Sequence, residues 1–282
     1  MKYTKTFALF ALQVAASLSF AGPLVKGQLF DSYNIQFTND EKYLFNSPLY
    51  TIVSHVDDGW DEERVSFAGT QRLIEFSKNK MITRFGFISR FGGGRQQFSQ
   101  NDMTFIADSE AGQHMLSFKR PRGFLIAGGN LSLCLCEALR DLIRGTEKAS
   151  TAAVQNFFLV SDAVYDDQYY FPRAAGEPKT RPKFTLADLI NVPGLNDSTL
   201  AKYIQERMIG TGEIFCPDQN YRNHADVNPK EFTFEIFRGS KKIAKYGNRG
   251  RHIRLILVPS TQLDATLKQF RLDRFYPIYN LY

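Results

Sequence analysis

Residues 123–166 constrain the fold of this chain more than any other stretch. An apolar run, Phe124 to Ala127, meets a Gly128-Gly129 turn, and a helix is predicted from near Asn130. A second apolar run, Phe157 to Ser161, then reads as a buried strand. Two strands joined through a helix are parallel neighbours, because antiparallel pairing needs only a tight turn. Cys134 falls in the first turn of the intervening helix. Unpaired backbone N–H groups and the positive end of the helix dipole favour thiolate over thiol there. That is the position a nucleophile requires.

The same alternation recurs along the chain. Leu49 to Val56 reads as a buried strand that ends at Asp57-Asp58-Gly59-Trp60. An amphipathic helix is predicted over 61–80, opening on Asp61, Glu62 and Glu63, which suit a helix N-terminus. Ile82 to Ser89 is the next strand. The Gly92-Gly93-Gly94 run after it is a flexible loop and no phosphate loop, since no Lys-Ser/Thr follows. Residues 101–119 read either as a helix or as an irregular excursion. A Pro- and charge-rich connection, 172–183, leads to a helical region over 185–208 interrupted at Pro193-Gly194, and a short strand is predicted at 213–216. Residues 231–237 and 252–258 switch to a two-residue period and are predicted to form an antiparallel hairpin at the sheet edge, turning through Gly239-Ser240. The expected class is α/β, with a mainly parallel sheet covered on both faces.

A hydrophobic content of 43% with 23% charged residues argues against general disorder. Residues 1–21 read as a signal peptide: Lys2 and Lys5 precede the apolar stretch 6–20, and Ser19-Phe20-Ala21 offers small residues at a cleavage site. No later segment is apolar enough for a membrane span, so the mature chain is expected in the periplasm or secreted. An α/β domain over 22–229 is followed by a basic hairpin and tail, 230–282, packed on the same domain. That tail carries 11 Lys and Arg against 4 Asp and Glu, whereas 22–229 carries 22 against 25. Such a tail is suited to a polyanion or an anionic membrane surface, or is a solvated basic hairpin. The chain has 3 cysteines, which cannot all pair within it. Cys134 and Cys136, two apart on one helix, point to different sides, while Cys216 can pair with either in an oxidising compartment. The alternative is that all pack as small hydrophobes.

In parallel sheets, ligands sit at the carboxyl ends of the strands. The candidates there are His55, Asp57 and Asp58 after the first strand, Arg90 after the second, Gly128, Gly129, Asn130 and Cys134 after the third, and Asp162 after the fourth. A cysteine beside a base is the arrangement for attack on a carbonyl carbon. The N–H groups of the Gly-Gly-Asn turn are placed to stabilise the oxyanion that forms.

The order strand, Gly128-x5-Cys134-Leu135, helix, then Val160-Ser161-Asp162-Ala163-Val164 resembles the isochorismatase-like cysteine hydrolases, over residues 49–216. The resemblance implies a three-layer α/β/α sandwich with the C-terminal β-hairpin as an addition. It also implies a cysteine nucleophile, an aspartate base and a lysine. His55 stands at the position of the base, with Asp57 and Asp58 just beyond, and Lys119 is the nearest lysine. The function implied is a cysteine hydrolase acting on an amide- or ester-like bond of a small molecule, or a catalytically degenerate relative. No cofactor is expected. No metal is expected either, because His55, His114, His224 and His252 lack ligand spacing.

A second reading comes from residues 186–207, which resemble a helix-hairpin-helix motif similar to that of exported DNA-uptake proteins. Pro193-Gly194-Leu195 and Arg207 fit its spacing, Asn196 stands where a second glycine belongs, and Lys179, Arg181, Lys183 and the tail add cations. The tight turn of such a motif offers N–H groups to phosphate. Two core helices joined by a Pro-Gly turn would leave the same pattern. A third reading is an exported, non-enzymatic protein that docks a partner.

Overall fold

A computed structural model of the chain describes residues 44–45, 48–54, 65–89, 98, 102–108, 117–118, 121–131, 135–136, 138–139, 142–143, 154–166, 183–209, 232–247 and 250–275. All belong to the unit Phe37–Tyr282. The strands are β1 (Leu44–Phe45), β2 (Leu49–Ser54), β3 (Thr83–Ser89), β4 (Thr104–Asp108), β5 (Ser117–Phe118), β6 (Gly123–Gly128), β7 (Val154–Asp166), β8 (Phe184–Thr185), β9 (Phe232–Arg238), β10 (Lys241–Tyr246) and β11 (Arg251–Val258). The helices are α1 (Phe67–Asn79), α2 (Leu186–Ile190), α3 (Asp197–Ile204) and α4 (Leu263–Gln269). α3 runs on into a π-helical turn, Gln205–Ile209.

The fold is α/β, built on a mostly parallel sheet. Eight strands lie in the order β10-β9-β11-β7-β6-β2-β3-β4, with β8 paired to β7 off this row and β1 paired to β5 separately. Among the described residues, only the β9–β10 and β7–β8 pairings are antiparallel. The reason is visible in the strands themselves. Every residue of β2 and of β6 is buried, as expected of strands covered on both faces rather than on alternate residues.

Tyr50, Phe124 and Phe157 are register partners on β2, β6 and β7, and their rings stack at 5.7 and 5.2 Å. They share one core with Ile236, Leu255, Leu186, Leu200 and Ile204. The helical residues Leu135, Cys136, Ala138, Leu139, Leu142 and Ile143 join that core, all buried. Their spacing marks one face of a helix. On the opposite side of the sheet, Thr51 Oγ1 meets Ser77 Oγ of α1 at 2.7 Å. There Phe270, which follows α4, packs edge-on against Phe158 and Phe237. Gly69 brings α1 closest to the sheet: a Cβ at this position would lie 2.0 Å from the Asp162 carbonyl oxygen.

Several expectations change in the structure. Residues 252–258 form no edge hairpin with 231–237. They lie inside the sheet as β11, parallel to both β9 and β7. Ile253, Leu255, Ile256, Leu257 and Val258 are all buried, so the apolar run here reports two covered faces. The strand that turns back on β9 is the Lys-rich β10, whose charges suit an edge. The described residues of 101–119 include strands β4 and β5. β7 also runs past Ser161 to Asp166. The described part of α1 begins at Phe67, and no acidic residue lies in its first turn. The acids at 61–63 and the strand expected at 213–216 lie outside the described residues.

Candidate functional site

The chain builds outward from β2 through β3 to β4, then returns to the other side of β2 with β6 and continues to β7. The reversal falls between β2 and β6, whose carboxyl ends, Ser54 and Gly128, are register partners. Such a point opens a crevice in parallel sheets. Gly128 adopts φ +91°, and a Cβ there would lie 1.9 Å from the Ser54 carbonyl oxygen. Only glycine fits that approach. A Cβ on Gly129 would lie 2.6 Å from the Tyr165 ring. The Leu131 N–H donates to the Tyr165 carbonyl at 3.0 Å, and the Leu135 N–H donates to the Asn130 carbonyl at 3.1 Å. The Gly128-Gly129-Asn130 turn is therefore buried against the overhanging end of β7.

The candidates His55, Asp57, Asp58, Arg90 and Cys134 lie outside the described residues, as does Cys216. Cys136 is disulfide-bonded and wholly buried, with Sγ 3.6 Å from the Met208 carbonyl oxygen. Asp162 sits within β7, and its carboxylate is engaged on both oxygens. Oδ2 accepts from Arg72 at 2.7 Å and from the Ser260 hydroxyl at 2.5 Å. Oδ1 accepts from the Ser260 N–H at 2.7 Å. Burial alone would raise its pKa, but the Arg72 and Ser260 hydrogen bonds outweigh it and hold the carboxyl below its ordinary value. In this position Asp162 ties α1, β7 and the turn after β11 together.

The helix-hairpin-helix-like segment is described throughout. Thr185 caps α2 in a reciprocal capping box with Asp188. Asn196 caps α3, accepting from the Thr199 N–H at 2.8 Å. Between the two helices, Asn191 to Gly194 are exposed, and Gly194 takes φ +82° with open space around its α-carbon. Arg207 is not on this surface. It is 8% exposed, with Nε 3.5 Å from Asp166 Oδ2. Asp166 also accepts from the Tyr203 hydroxyl at 2.5 Å. Burial, then the Asp166 charge, raises the Tyr203 pKa. Arg207 is thus spent on fixing α3 to the sheet, because a guanidinium this far from water needs a carboxylate partner.

Sequence reasoning missed a junction made by Asp197, the first residue of α3. Its Oδ2 lies 2.7 Å from Lys241 Nζ and its Oδ1 3.3 Å from Arg238 Nη1. The Lys241 hydrogen bond is the largest influence on Asp197 and lowers its pKa. Arg238 and Lys241 flank the Gly239-Ser240 turn, so the basic β9–β10 pair meets the N-terminus of α3. Lys242 and Lys245 continue the same exposed strand. Lys242 Nζ and Arg254 Nε, the latter at 3.0 Å, pair with Glu235. The sequence offered both halves of this junction, but its partners lie more than 40 residues apart and only folding makes them neighbours.

Among the described residues, no group of three or more His, Cys, Asp or Glu side chains is placed to hold a metal ion. No helix among them is long and apolar enough to cross a membrane. Neither a family model nor a curated protein sequence matches the chain.

Proposed function

We propose that this chain is an exported polyanion-binding protein whose hairpin turn between α2 and α3 and basic β9–β10 strands engage the phosphates of nucleic acid. One observation carries the reading: Asp197 joins the N-terminus of α3 to Arg238 and Lys241, at 3.3 and 2.7 Å. The two features that separately suggest phosphate binding therefore form one face. Phosphate suits that face on three counts. The first N–H groups of a helix have no partner within it and favour anions. The φ +82° at Gly194 turns the backbone sharply enough to expose the turn. Arg238 and Lys241 are 41% and 74% exposed, so their charges are accessible to a polymer.

The sheet is then a scaffold, in our reading a three-layer α/β/α sandwich extended by the β9–β10 hairpin. Export suits the disulfide at Cys136, since disulfides persist in oxidising compartments. The test is fluorescence anisotropy of the purified chain with a fluorescein-labelled 20-nucleotide DNA, titrated over a range of NaCl. Neutralising about 3 phosphates predicts a log–log slope of about −2 to −3. Absence of binding at about 20 mM NaCl, where screening is weak, refutes the reading.

A second reading draws on the β2–β6 reversal, from which the segments holding His55, Asp57 and Asp58 and holding Cys134 both depart. It is the cysteine hydrolase acting on an amide- or ester-like bond, with Cys134 as nucleophile and His55 or an aspartate as base. Rapid, saturable labelling by iodoacetamide that is lost in Cys134→Ser supports it. Labelling no faster than that of free cysteine ends it.

A further inference from the structure

Four cations of the β9–β11 region are held in two pairs, each by one carboxylate. Asp197 holds Arg238 and Lys241, while Glu235 holds Lys242 and Arg254. The two clamps share a form and differ in burial. The Glu235 side chain is 5% exposed. The Asp197 side chain is 27% exposed, and its partners Arg238 and Lys241 are 41% and 74% exposed. An exposed ion pair is worth about 0–1 kcal/mol, so water or another anion readily takes the place of Asp197. Removing one side of a buried pair is far costlier, about 3–5 kcal/mol. The Asp197 clamp is therefore exchangeable, and the Glu235 clamp belongs to the fold.

We propose that Asp197 is a specificity-determining residue of the basic face: its carboxylate occupies Arg238 and Lys241, and an anion binds there only by displacing it. This rests on the polyanion reading. A single phosphate or carboxylate exchanges one anion for another and gains little. A polymer with closely spaced phosphates replaces Asp197 and also reaches the exposed Asn191–Gly194 turn that leads into α3, so it gains contacts that an isolated anion lacks. The clamp thus rejects small anions while it leaves chains of phosphates bound.

The experiment compares the wild-type chain with Asp197→Asn and Glu206→Gln, using the labelled 20-nucleotide DNA as one probe and inorganic phosphate as a competitor. Glu206, 61% exposed and paired with Lys202 at 3.7 Å, follows on the same helix. Its substitution removes one negative charge and frees neither Arg238 nor Lys241. Asp197→Asn is expected to tighten DNA binding roughly tenfold at about 50 mM NaCl with little change in the log–log salt slope, because the polymer contacts Arg238 and Lys241 in both proteins. Inorganic phosphate should also compete more strongly with DNA on this variant than on wild type. Glu206→Gln should change affinity by less than about threefold and leave the slope unaltered, as a distant screened charge does. Lys241→Gln gives the complementary arm, since it should weaken DNA binding and flatten the slope by about 1. Equal behaviour of Asp197→Asn and Glu206→Gln, with wild type still bound, overturns the role of Asp197 and leaves the polyanion reading standing. Absence of DNA binding by wild type and Asp197→Asn alike, both folded by circular dichroism, overturns both.

Discussion

Asp166 is the residue whose loss should most damage the attachment of the hairpin helices to the sheet. Its carboxylate is wholly buried. It accepts from the Tyr203 hydroxyl at 2.5 Å and lies 3.5 Å from Arg207 Nε. The Arg207 side chain is 9% exposed, and its guanidinium lies 5.4 Å from the centre of the Tyr203 ring. Asp166→Ala takes the carboxylate away from a guanidinium that water scarcely reaches, at a cost of about 3–5 kcal/mol. Asp166→Asn keeps an acceptor for Tyr203 and forfeits the charge, so about 1.5–3 kcal/mol is expected. Arg207→Met in the Asp166→Ala background should restore part of the loss, because it removes the buried charge that Asp166 neutralises, and the coupling should exceed about 1 kcal/mol. Urea unfolding followed by far-ultraviolet circular dichroism measures wild type, Asp166→Ala, Asp166→Asn, Arg207→Met and the Asp166→Ala/Arg207→Met double variant, with an unchanged m-value confirming that stability alone has shifted. Amides of α3 and its π-helical turn should lose hydrogen-exchange protection before those of β6 and β7. A cost below about 1 kcal/mol for Asp166→Ala, or additive single substitutions, would refute this account of how the element is held.

Two further predictions concern the α1–β7 contact. Asp162 has a depressed pKa in the folded chain, so its contribution is present above the unfolded value of about 3.9 and is lost as pH falls through the lower folded value. The stability gap between wild type and Asp162→Asn should accordingly be constant from about pH 6 to 5 and narrow below about pH 4. A gap that widens on acidification contradicts the assignment. Gly69→Ala should destabilise the chain by about 1–3 kcal/mol despite alanine's higher helix propensity, worth about 1 kcal/mol. The added Cβ would lie 2.0 Å from backbone that cannot swing aside; a rise in melting temperature would show that α1 does not approach β7 this closely.

The α/β class was legible because local signals carry it. The apolar runs of β2, β6 and β7 are long enough to announce burial on both faces, and the glycines at 128 and 129 mark the end of β6. The helix-turn-helix shape of 185–209 was equally legible, since Thr185 and Asn196 cap their helices through neighbours only three residues away. The partner of 231–237 is not legible in the sequence for a related reason. Gly239-Ser240 correctly signals a reversal, yet periodicity does not say which later strand returns beside β9. Lys241–Tyr246 does so, and the more apolar 251–258 goes inside.

The amino-acid order by itself determined that β2, β3, β6, β7, β9 and β11 are strands, that 185–208 is helical with a break at Pro193-Gly194, and that 230–282 is basic. Tertiary structure alone decided what the charged side chains do. Asp162 and Arg207, which the sequence offers as ligands, are drawn into internal ion pairs. Asp197, to which the sequence alone assigns no role, gathers Arg238 and Lys241 onto one surface. Backbone propensity acts over a few residues, whereas an ion pair forms between whichever groups the packed sheet brings within about 4 Å, whatever their separation along the chain.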